Sequence, residues 1–133
     1  MTYVVAYVAT LGAMVALDGT WLTIMVGRVY RPTLGDIVAP NVNLAAAIVF
    51  YLTYAVGLLI FVVLPAVRSG GVGSALLYGA LFGLMTYATY DLTCYATLRN
   101  WTLQLTLIDM AWGTVLAAAA SSIGYWAAAR IAG

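Results

Sequence analysis

Ser74-Ala-Leu-Leu-Tyr-Gly-Ala-Leu-Phe-Gly-Leu-Met-Thr-Tyr-Ala-Thr-Tyr-Asp91-Leu-Thr-Cys-Tyr-Ala-Thr-Leu98 is the stretch on which the fold turns. It carries one charged residue and, at about 1.5 Å per residue, is long enough as a helix to cross the roughly 30 Å hydrocarbon core of a bilayer. Its apolar residues do not alternate as the wall of a barrel would, and lipid offers a backbone no hydrogen-bond partners, so it reads as a helix. Ala75, Gly79 and Gly83 lead by fours toward Tyr87 and Asp91. That spacing puts small side chains and a carboxyl on one helical face.

Working outward, three more runs of the same kind extend from about Tyr3 to Gly27, Val42 to Val67 and Thr102 to Ala128. The expected fold is all-α: one domain, an integral membrane bundle of four transmembrane helices at about 3–27, 42–67, 74–98 and 102–128. Composition agrees, with 65% hydrophobic residues, 7% charged and a mean hydropathy of +1.05. A soluble domain carries roughly 25% charge. The opening Met1-Thr-Tyr-Val-Val-Ala-Tyr7 lacks the positive start of a secretory signal, and its apolar stretch outruns the roughly 7–15 residues of a signal core. It reads as a retained first helix.

The junctions carry interfacial chemistry. Arg28 to Asn41 holds two prolines, a glycine and three charges and reads as a long loop, with Asp36 a solvated or capping carboxylate. Pro65 to Gly73 reads as a glycine-rich turn followed by Ser74 as an N-cap. Arg99-Asn-Trp-Thr102 reads as a tight hairpin with Trp101 at the headgroup level. Four crossings place the termini with Arg68 and Arg130 on one side. Arg28, Arg31 and Arg99 lie opposite, which slightly favours a cytoplasmic long loop.

Charge and inventory exclude much. The net charge of +1 gives no field for nucleic acid and no polybasic tail. Cys94 is the single cysteine, so no internal disulfide forms, and no Cys or His spacing suits zinc or haem; neither metal nor cofactor is expected. It reads as a small buried hydrophobe. With no Lys, Glu or His, acid/base chemistry must rest on Asp, Tyr or Cys.

Counting from the helix ends places Asp18, Asp91 and Asp109 roughly 10–14 Å below the face that carries the long loop. A carboxyl at the centre of a membrane helix costs about 2.5–3.5 kcal/mol, so such groups face the bundle interior. Tyr87, Cys94 and Tyr95 surround Asp91 on its helix, with Thr86, Tyr90, Thr93 and Thr97 in an adjoining polar stripe. Tyr51 and Tyr54 reach the same layer, and Trp21 and Trp112 lie one turn from their aspartates. The candidate ligand-binding set is therefore Asp18, Trp21, Tyr51, Tyr54, Tyr87, Tyr90, Asp91, Thr93, Asp109 and Trp112. Asp109 continues to Gly113, Ala117 and Ser121, so the third and fourth helices are expected to pack tightly. Leu17-Asp18-x-x-Trp21 echoes Ile108-Asp109-x-x-Trp112, but both aspartates fall in one membrane half, where an inverted repeat would separate them.

Three functions stay open. The leading one is a protein that binds or transports a small hydrophobic or cationic molecule, a lipid or an ion, in a polar pocket open to one membrane face. The second is an accessory structural subunit of a homo-oligomer or larger membrane complex, its polar cluster serving as interhelical glue. A lipid-modifying enzyme is the third and has the poorest nucleophile inventory. The bilayer is a partner in all three.

Leu17-Asp18-x-x-Trp21-Leu22, Phe50-Tyr51-x-x-Tyr54-x-x-Gly57, Phe61-Val62-Val63-x-Pro65-Ala66, Tyr87-Ala88-Thr89-Tyr90-Asp91-Leu92-Thr93, Ala96-Thr97-Leu98-x-x-Trp101 and Asp109-x-x-Trp112-Gly113-Thr114 follow one another in the chain. Together they resemble a family of bacterial predicted membrane proteins catalogued as domain of unknown function twenty-one seventy-seven. The resemblance spans nearly the whole chain. It implies four helices in the bacterial inner membrane and supplies no activity. Relatives typically read Asn where this chain has Cys94, so an amide contact made in relatives would be weaker here.

Overall fold

The computed structural model describes residues 2–35 and 43–132. They are helical almost throughout, and no strand occurs among them. The helices join into three continuous segments, Thr2–Leu34, Leu44–Thr97 and Leu103–Ile131, each long and apolar enough to cross a membrane. Four separate helices were expected. The difference arises because one expected break, Pro65 to Gly73, is itself helical and joins the second and third expected helices.

The first segment comprises α1 (Thr2–Met25), a wider π turn over Val26–Tyr30, and α2 (Arg31–Leu34). It runs past Arg28 because Pro32 stands in the first turn of α2, where its missing N–H is not needed. Gly35 stops it at φ +63, and Asn100 Nδ2 donates to Leu34 O at 2.8 Å. The rest of the expected loop, with Asp36, lies outside the described residues, as does the expected helix start at Val42.

The middle segment contains α3 (Leu44–Leu58) and α4 (Gly71–Thr97), joined through π turns over Leu59–Val63 and Ala66–Gly70. Asn43 caps α3, its Oδ1 accepting from Ala46 N–H at 3.2 Å. Pro65 has no N–H to offer Phe61 O, and the wide turn just before it absorbs the misfit. A straight helix of 54 residues would span about 81 Å. Yet the Tyr54 and Thr86 hydroxyls are 2.8 Å apart, and Tyr54 meets Phe82 edge-on. The segment therefore folds back on itself. The reversal falls at Gly71, whose φ of +73 with ψ of −171 is open essentially to glycine alone. Ser74, expected as the cap, lies inside α4, whose cap position is Gly70.

α5 (Leu103–Ala132) begins after a short turn, with Thr102 Oγ1 accepting from Leu105 N–H at 3.1 Å. α4 and α5 form the most extensive helix pair. The expected small-residue stripe makes this possible: a Cβ on Gly79 would meet Ala117 O at 3.0 Å, and one on Gly83 would collide with Gly113 O. α1 packs on the other side of α5, presenting Ala6, Thr10, Met14 and Asp18 by fours. Met14, Ala55, Leu58, Val62, Ala117 and Ala120 close the core between them. The outside is apolar, with Val8, Val15, Leu77, Met85, Leu107, Val115 and Trp126 all exposed. In water such a surface would aggregate.

Candidate functional site

The polar residues converge where α1, α3, α4 and α5 come together near the Trp101 turn. On α1, Asp18 is 6% exposed and accepts two hydrogen bonds, from Tyr51 OH of α3 at 2.5 Å and from Trp112 Nε1–H of α5 at 2.8 Å. On α5, Asp109 is 7% exposed and accepts from Tyr30 OH at 2.6 Å; Tyr30 in turn accepts from Trp21 Nε1–H at 3.0 Å. Trp21 and Trp112 stack face to face, centroids 4.4 Å apart and planes 4° from parallel. Each tryptophan thus serves the carboxyl of the opposite helix, Trp112 directly and Trp21 through Tyr30. The echo of Asp-x-x-Trp on two antiparallel helices has this meaning: the motifs face each other about one point inside one half of the bundle.

Asp91 on α4 is fully buried, and neither of its oxygens meets a donor. The Asp109 carboxyl lies beside it. Two carboxylates are both acceptors, so the pair bonds only when one of the two carries a proton.

A cavity of about 630 Å³ opens beside this network. Asp18 and Asp109 reach it, together with Tyr30, Tyr54, Thr86, Tyr87 and Tyr90. Trp21, Leu22, Val26, Leu34, Phe50 and Trp101 supply its apolar wall. None of the five arginines lines it, and all five are exposed. At one end Leu34 and Trp101 are buried against Leu105; along the side Leu22, Phe50 and Tyr90 are exposed and form a rim. Among the described residues no three metal-ligating side chains converge.

A family model described as "Predicted membrane protein (DUF2177)" matches residues 3–126. The chain belongs to this family. No curated protein and no solved structure matches the chain. DUF2177 membership agrees with the family resemblance read from the motifs, and the family description carries no activity.

In this DUF2177 chain the ten expected site residues take up different stations. Asp18, Trp21, Tyr54, Tyr87, Tyr90 and Asp109 line the cavity. Tyr51 and Trp112 hold Asp18 from outside the lining, and Asp91 sits behind Asp109. Thr93 stands apart: it is exposed, and its hydroxyl is bonded to Thr89 O at 2.6 Å. A polar stripe on a lipid-length helix is wider than the face that meets the interior, and back-bonding to the preceding turn satisfies the remainder.

Tyr30 and Trp101 were missed. Tyr30 was counted with the loop, but the π turn carries it inward to Asp109. Trp101 was assigned to the headgroups; instead it is 7% exposed and meets Tyr90 edge-on at 5.6 Å. The one available signal was Asn100, an amide beside Trp101 able to tie the hairpin across the bundle end.

Proposed function

We propose that this protein is a multi-pass protein of the bacterial inner membrane that binds or carries a small amphipathic molecule in the cavity between its helices. The observation that supports this reading is the cavity itself. Two carboxylates and a ring of aromatic side chains converge on a space of about 630 Å³, within the range of small-molecule sites. Interhelical glue needs no such space, since each bond between membrane helices contributes only about 0.6 kcal/mol on average without one.

The fold-back at Gly71 supports reading the middle segment as two crossings, for four passes of the bilayer in all. The exposed rim of Leu22, Phe50 and Tyr90 faces lipid in that arrangement, which suits a ligand that enters sideways with its apolar part leading. Its polar end then meets Asp18 and Asp109.

Titration of the protein in lipid nanodiscs with 1-aminoanthracene, read by energy transfer from tryptophan, tests the reading. Saturable binding near one per chain is expected, weakened in Val26→Phe, which sets a larger side chain into the cavity wall. Signal that rises only in proportion to lipid, unchanged by Val26→Phe, would refute it.

A further inference from the structure

The hydrogen bonds show how each carboxyl of the network is partnered. Both oxygens of Asp18 are hydrogen-bonded, Oδ1 to Trp112 Nε1–H and Oδ2 to Tyr51 OH. Asp109 Oδ1 accepts from Tyr30. Asp91 is fully buried beside Asp109, with no donor on either oxygen. Two acidic side chains, Asp18 and Asp109, reach the cavity. No arginine lines it to balance them.

We propose that the cavity takes an amphipathic organic cation, its ammonium group set between Asp18 and Asp109 and its apolar body along Leu22, Val26 and Phe50. This rests on the ligand-handling reading above and names its substrate class. A positive occupant would be the partner that these two acidic side chains lack among the residues lining the cavity. An organic cation suits the site better than a bare metal ion, because the space far exceeds one ion and no three ligating groups meet among the described residues. Tyr54, Tyr87 and the free face of Trp21 offer π surfaces to an ammonium group, an attraction that strengthens away from water.

The test compares benzyltrimethylammonium with neopentylbenzene, the same shape with carbon in place of the charged nitrogen, by calorimetry in nanodiscs, with empty nanodiscs subtracted. The cation is expected to bind saturably at one per chain, at least about tenfold more tightly than its isostere. Asp18→Asn and Asp109→Asn are each expected to weaken it by about tenfold or more. If those variants fail to fold, the two probes on the unaltered protein decide alone. Equal binding of both probes would overturn the organic-cation assignment and leave the cavity reading standing. No saturable binding of the cation would also overturn it, while the 1-aminoanthracene titration judges the cavity reading separately.

Discussion

At the scale of single residues, the network depends on which donor meets which carboxyl. Trp112 donates to the Asp18 carboxylate, whereas Trp21 donates to a phenol oxygen, so the two indoles are unequal despite their shared stack. Trp112→Phe keeps the stacking surface and removes the donor; it is expected to lower stability by about 1–2 kcal/mol in detergent unfolding, and Trp21→Phe by less. Equal losses would contradict the crossed pairing. Asp91 gives a second contrast. Asp91→Asn places an N–H beside Asp109, whereas Asp91→Leu offers it none, so unfolding should rank the Leu variant as the less stable. Much of this layer was legible in the sequence, because buried carboxyls are rare and depth follows from helical rise. The crossing of the tryptophans was not, since spacing within a helix says nothing of its register against a neighbour.

At the scale of helices, the close pairs rest on glycine. Gly83→Ala sets a Cβ against Gly113 O, and Gly113→Ala sets one against the Tyr87 ring, so each is expected to lose about 1–3 kcal/mol. Gly12 and Gly19 have open space around the same position, and alanine there should be neutral or stabilising by up to about 1 kcal/mol. A melting series of the four variants checks the division. Gly71→Ala forces a non-glycine residue into a glycine-only conformation and should cost about 1–3 kcal/mol. The stripe of small residues could be read from its period of four. The helix ends could not: Pro32 and Pro65 both read as breaks, yet one lies in a first turn and the other follows a wide π turn that accommodates it.

At the scale of the whole molecule, hydropathy gave the apolar helices, but their number of crossings depends on the fold-back at Gly71. Four crossings place both ends of the chain on one side; three would separate them. In a Cys94→Ala background, Thr2→Cys and Arg130→Cys should react with a membrane-impermeant maleimide from the same side of oriented vesicles. The cavity then lies in the half of the bundle opposite both ends. Its occupancy can be observed by fluorine NMR of the protein labelled with 5-fluorotryptophan in nanodiscs. Trp21 and Trp101 line the cavity, while Trp126 is 64% exposed on the outer surface, so the four tryptophans report inside and outside at once. On titration with benzyltrimethylammonium, the Trp21 and Trp101 resonances are predicted to shift and saturate while Trp126 stays in place. A shift confined to Trp126, or the same drift of all four, would contradict an internal binding site.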